Sequence, residues 1–154
     1  MLFRSRQAEV ARFPAWMDRI ALSLPKLEVL DASAQWLGAD LWKIRFAVCN
    51  SGWLATCVTQ LALQHKIVRG VMFEIHLPAA EGGVALLSGK PRFEGPQLRG
   101  HAPPKSLLAL APDAEPTADR ALAEWIVRAP RGACIALSAQ ADRAGRIETS
   151  VKLH

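Results

Sequence analysis

Cysteine is scarce in this chain: three among 154 residues, none in a Cys-x-x-Cys spacing, which excludes both a disulfide framework and a zinc knuckle. Cys49, Cys57 and Cys134 cannot all pair with one another. A bridge between Cys49 and Cys57 would close a short loop in an oxidising compartment, but an unpaired cysteine is commonly a small buried hydrophobe, and that reading is favoured. Long apolar runs are also missing. None approaches the roughly 20 residues that span a bilayer, and Gln7, Glu9 and Arg12 interrupt any signal-peptide core after the basic start. A soluble protein is expected, with its compartment left open between cytoplasm and periplasm. Charge of one sign is nowhere concentrated. The net charge is +5, yet the 19 Lys and Arg are spread along the chain instead of forming a nucleic-acid-binding tail.

Catalytic patterns are absent as well. Hydrolytic zinc sites place two ligands close in sequence, as in His-x-x-Glu or His-Glu-x-x-His, so that one turn or strand presents both. Neither pattern occurs, and His65, His76, His101 and His154 are isolated. Glu74 and His76 share one face of a strand and could touch a common ion, but two ligands without a third read better as an exposed polar face. Ser51, Ser88 and Ser106 lack the Gly-x-Ser-x-Gly frame of a nucleophile elbow. The stretch from Gly82-Gly83 to Gly89-Lys90 is followed by Pro91 where a phosphate loop would open a helix, so it reads as a turn between strands. Arg69, Lys90, Arg92, Arg99 and Lys105 could form a patch for an anionic partner, but no stacking aromatics are interleaved among them.

What is present is a succession of β signals behind one helix. From about Ala8 to Leu24, Val10, Phe13, Met17, Ile20 and Leu24 recur at three- and four-residue steps, the spacing of one helical face, with Trp16 beside the stripe. Pro14 either kinks this helix or marks the first turn of a shorter one beginning near Phe13, and Pro25 ends it. Such a face needs a partner, which is either this chain's own sheet or a domain lying upstream.

Beyond it, Leu27 to Leu37 forms a first strand and Gly38-Ala39-Asp40 a turn. Trp42, Ile44, Phe46 and Val48 alternate with Lys43, Arg45 and Ala47 in the period of a half-buried strand. Asn50 and Gly52, residues that tolerate left-handed angles, turn the chain. Thr56 or Thr59 then caps a short helix through Leu61 to Gln64, or the segment is a loop. A strand over Ile67 to Leu77 follows, with Val71, Phe73, Ile75 and Leu77 on one side. Val84 to Leu87 and Arg92 to Leu98 read as edge strands. A long Ala/Pro-rich connection occupies Arg99 to Asp119, with at most a turn of helix, before a strand over Leu122 to Ala129. In the closing hairpin Ile135, Leu137, Ala139 and Ala141 meet Ile147, Thr149, Val151 and Leu153 across residues 142–145. The pattern predicts a mainly β chain, an antiparallel immunoglobulin-like sandwich of seven or eight strands over residues 26–154, preceded by an N-terminal helical segment over 1–25. Its structural core is expected at Trp42, Phe46, Phe73 and Trp125.

Five stretches carry a family resemblance: Leu-Pro-Lys-Leu-Glu-Val at 24–29, Leu-Trp-Lys-Ile-Arg-Phe-Ala-Val-Cys-Asn-Ser-Gly-Trp-Leu-Ala-Thr at 41–56, Val-Arg-Gly-Val-Met-Phe-Glu-Ile at 68–75, Leu-Leu-Ser-Gly-Lys at 86–90 and Ala-Glu-Trp-Ile-Val-Arg-Ala-Pro-Arg-Gly at 123–132. The succession resembles the C-terminal region of certain bacterial zinc carboxypeptidases, where a β-sandwich follows a catalytic α/β domain. The resemblance implies a non-catalytic accessory domain whose zinc ligands and catalytic glutamate belong to an upstream peptidase domain. No catalytic or metal residue and no cofactor is then expected in this chain. Phe13, Trp16, Met17 and Ile20 would face that domain, and the substrate would be a peptide or cell-wall peptide. The alternative from the residues alone is a free-standing protein-binding or adhesion sandwich that accepts a partner strand at a sheet edge.

Overall fold

The architecture comes from a computed structural model that describes residues 13–57, 59–78, 83–101 and 119–154. Helix α1 spans Phe13–Ser23, with Pro14 in its first turn, where a missing N–H costs nothing. The strands are β1 Leu27–Gly38, β2 Leu41–Asn50, β3 Met72–His76, β4 Ala85–Ser88, β5 Arg92–Glu94, β6 Arg120–Arg128, β7 Cys134–Ala141 and β8 Gly145–Lys152, with the five-residue helix α2 at Gln60–Gln64. Thr59 supplies the cap of α2, its Oγ1 accepting from the Ala62 N–H at 3.2 Å. Residues 8–12 of the expected helix and residues 102–118 of the expected connection lie outside the described residues.

Two four-stranded antiparallel sheets form, in the orders β1-β2-β6-β4 and β5-β3-β7-β8. The first sheet faced by β3, β7 and β8 is the constant-type immunoglobulin arrangement, with β5 added as an edge strand beside β3. The inter-sheet disulfide of antibody domains has no counterpart, since Cys49, Cys57 and Cys134 are all free. In its place an aromatic chain crosses the interior. Phe46 meets Phe73 edge-on at 5.9 Å, Phe73 stacks on Phe93 at 5.4 Å, and Phe93 meets Trp125 at 5.9 Å. Trp42 and Trp125 are fully buried without stranding a donor: their indole N–H groups donate to Ala129 O at 3.0 Å and Lys90 O at 2.8 Å.

The closing hairpin forms as expected, with Ile135 opposite Val151, Leu137 opposite Thr149 and Ala139 opposite Ile147, but Gly145 already belongs to β8 opposite Ala141, so the turn is 142–144 and not 142–145. Two strands are shorter than the sequence pattern suggests. The expected strand over Ile67–Leu77 narrows to Met72–His76, and that over Arg92–Leu98 to Arg92–Glu94. The cause is local. Gly70 and Gly95 bring their backbones so close that a side-chain carbon on Gly70 would collide with the Gly95 carbonyl, and Pro96 has no N–H to continue a ladder. Pairing persists irregularly through Gly95 N–H to Val71 O at 2.7 Å and Val71 N–H to Pro96 O at 3.2 Å.

The sheet edges are protected. β4 and β5 are four and three residues long. On the other flank β1 and β8 run beside each other, joined where the Leu27 N–H donates to Ala144 O at 3.3 Å.

Candidate functional site

One end of the sandwich gathers the start of β1, the end of β2, the start of β6 and the irregular segments 51–57, 65–71 and 95–101. Its organising residue is Asn50, which is buried. The Asn50 carboxamide makes four bonds to backbone. Its Oδ1 accepts from the Lys26 and Gly52 N–H groups, each at 3.0 Å, and its Nδ2 donates to Leu54 O at 2.8 Å and Arg99 O at 3.1 Å. Three separate stretches of chain are thereby tied to one side chain. The chain does turn at this corner, but not by left-handed angles, which neither Asn50 nor Gly52 adopts. Asn50 acts through its amide, and position 52 takes glycine because a side chain there would strike the Leu24 carbonyl and Pro25.

A second tie lies beside the first. Buried Thr56 donates through Oγ1 to Gln97 Oε1 at 2.6 Å and accepts there from the Leu98 N–H at 2.9 Å. Every buried side-chain polar atom among the described residues is satisfied. The loop end is therefore an ordered frame built of side chain to backbone bonds, the kind that holds irregular chain rigid.

Helix α1 leaves this frame at Ser23, whose carbonyl accepts the Leu54 N–H at 3.0 Å. None of its residues is buried. Phe13, Trp16, Met17 and Ile20 lie on one face and are 56%, 57%, 58% and 39% exposed. Among the described residues, no strand packs extensively against this face. Trp53, on the loop that Asn50 holds, is exposed to 57%. Trp42, Phe46, Phe73 and Trp125 lie wholly inside.

The remaining candidates are dispersed. Glu74 and His76 share the outer face of the β3 sheet, where His76 Nε2 lies 3.1 Å from the hydroxyl of buried Ser138. No group of three His, Cys, Asp or Glu capable of holding a metal forms among the described residues. Arg69 lies in the 65–71 segment, Arg92 on β5, Lys90 in the β4–β5 turn and Arg99 in the 95–101 segment, and Lys105 lies outside the described residues. Gly89-Lys90 is a turn between strands, as expected; Gly82 lies outside the described residues. On the outer face of the β2 sheet, the Lys43 ammonium 2.8 Å from Glu124 holds that carboxyl below its ordinary range. Burial pushes the Cys49 thiol up, reinforced by the nearby carboxylates of Glu28 and Asp119. No helix among the described residues is long and apolar enough to cross a membrane.

Comparison with known proteins adds one match. The model of a domain of unknown function, DUF8731, covers residues 26–152. The chain belongs to that family. The matched span begins after Pro25 and takes in the whole sandwich, leaving α1 outside it. No curated protein matches the chain. Sequence reasoning passed over Asn50 as a turn residue and did not single out Trp53. The signal was there in part, since Asn-x-Gly at the end of a strongly alternating strand marks a corner, but the distant carbonyl of Arg99 that it binds is invisible to local pattern.

Proposed function

We propose that this DUF8731 chain is a non-catalytic accessory domain that docks through α1 onto a larger partner domain. The observation carrying this reading is an aromatic-rich helical face left uncovered at a rigidly framed end of a complete sandwich. An isolated eleven-residue helix is marginal in water and draws most of its stability from packing. A face holding Phe13, Trp16, Met17 and Ile20 is thus best explained by a partner that covers it. The frame around Asn50 fixes the angle at which α1 leaves the sandwich.

The resemblance names the partner as the catalytic domain of a zinc carboxypeptidase, with the sandwich stabilising it or shaping the access of peptide to its cleft. Chemistry would then reside entirely in the partner. Strand addition to a sheet edge is the weaker reading, because β4 and β5 offer only four and three residues as a template. The test is a carboxypeptidase assay with metal analysis on this chain and on a polypeptide extended upstream through any in-frame coding sequence. Zinc and turnover in the longer polypeptide alone are expected. Stoichiometric zinc and turnover in the 154-residue chain would overturn the accessory role, and neither in the longer one would remove the peptidase from the reading.

A further inference from the structure

We propose that β1 pairs antiparallel with β1 of a second copy of this chain, about a two-fold axis at Ser33. This surface goes beyond the docking face and depends on different residues. β1 is twelve residues long, about 40 Å of edge, where β4 and β5 offer four and three residues. One side of β1 is taken by β2. On the other side β8 runs alongside, but the one backbone bond that joins β1 to the β7–β8 hairpin among the described residues comes from Leu27, at the very start of the strand. From residue 28 onward no described strand is bonded to that edge, the condition under which another strand adds.

What selects a copy of β1 over any other strand is the order of its residues. Positions 29–37 read Val-Leu-Asp-Ala-Ser-Ala-Gln-Trp-Leu: two apolar residues at each end, then one polar residue, then Ala-Ser-Ala at the centre, the same classes in either direction. The four end residues, Val29, Leu30, Trp36 and Leu37, are all exposed. The β1–β2 ladder slips at Leu30 and again at Leu37, leaving a regular stretch 31–36 between two bulges. Bulges close an edge to long flat strands, whereas a two-fold operation brings up a strand interrupted at nearly matching places. The register follows from the side chains. With the axis at Ser33, Leu30 meets the second copy's Trp36, Val29 meets its Leu37, and Asp31 accepts from its Gln35 amide, each contact occurring twice. Moving the axis to Ala32 sets Trp36 against Glu28 and Val29 against Gln35, and moving it to Ala34 sets the Asp31 carboxylate against Leu37; an odd slip sends opposite residues to different faces. Trp36 is held for this contact by Arg131, whose guanidinium lies 5.1 Å from the ring centroid while the residue stays half exposed. One strand from each copy falls short of the roughly 20–30 residues a side of a standard interface, so the pair is weak, with a dissociation constant on the order of 100 μM.

The experiment is sedimentation equilibrium of the chain from about 10 μM to about 1 mM, on the wild type, on Leu30→Glu and Trp36→Lys separately, and on the two variants mixed. Both positions are exposed, so the monomer fold survives each change. The wild type is expected to dimerise with concentration, and each variant alone to associate about tenfold more weakly, since a charge then faces an apolar side chain at both contacts. Mixing sets the new carboxylate against the new ammonium at one contact and leaves the native pair at the other, so association recovers, which misfolded variants could not achieve. A wild type that is monomeric at about 1 mM, a dimer that both substitutions leave intact, or a mixture no tighter than either variant alone would overturn the β1 pairing. So would a dimer abolished by Trp16→Ser and kept by Leu30→Glu, which would assign the association to the α1 face.

Discussion

Helix α1 and the sandwich carry apolar patterns of equal clarity, and only one of them is covered. In the sandwich, Phe46, Phe73, Phe93 and Trp125 form a continuous ring chain between two sheets. In α1, Phe13, Trp16, Met17 and Ile20 line one face and remain open to solvent. Periodicity therefore reports which side of an element requires cover, whereas topology decides whether the same chain provides it. Here the two sheets bury their inner faces against each other, while Leu30 and Trp36 on β1 and Leu122 on β6 stay exposed as the α1 face does. Its contact with the domain is a backbone tether at the Asn50 corner.

That contrast predicts where substitutions act. Phe73 touches aromatic partners from both sheets, so Phe73→Ala should remove about 3–5 kcal/mol of stability in urea denaturation. A loss below 1 kcal/mol would mean the ring chain does not hold the sheets together. Asn50→Ala strands two N–H groups and two carbonyls, and should cost about 3 kcal/mol. Asn50→Asp should also be destabilising, because a carboxylate cannot donate to Leu54 O or Arg99 O; near-neutral behaviour of either variant would show that water replaces the network.

A smaller effect of opposite sign is expected at the β1–β2 turn. Ala39 and Asp40 both hold left-handed angles there, φ 47° and 59°, the geometry of a type I′ hairpin turn that favours glycine or asparagine. Ala39→Gly should raise stability by about 1 kcal/mol in the same assay, and a loss would show that the turn is not strained. The smallest effect concerns the exposed charges of the β2 sheet. The Glu124 carboxyl is lowered by its bond to Lys43, so its contribution is present at neutral pH and is lost as pH falls through the folded-state value. Glu124→Gln should therefore flatten the acid side of the stability profile slightly without moving its neutral plateau beyond the small effect of an exposed pair.

Much of this fold was legible in the sequence because strands announce themselves by alternation. Trp42, Ile44, Phe46 and Val48 specify one buried face of β2 without any knowledge of its neighbours, and the final hairpin announces its two facing sets of residues. The lengths of β3 and β5 were not legible, because the Gly70–Gly95 approach that interrupts them joins positions far apart in sequence. The loop-end site was the least visible. Asn50 reads as a turn former, and its actual work depends on carbonyls at Leu54 and Arg99 brought near by tertiary structure.

The central claim, that the α1 face serves a partner and not this fold, is tested most directly by replacing Phe13, Trp16, Met17 and Ile20 together with serine and measuring urea denaturation of the sandwich. The exposed face contributes nothing to the core, so the midpoint of the sandwich should stay within about 0.5 kcal/mol of wild type. A loss of 3 kcal/mol or more, on the order of a buried aromatic, would show that the helix packs on its own domain and would contradict the docking account.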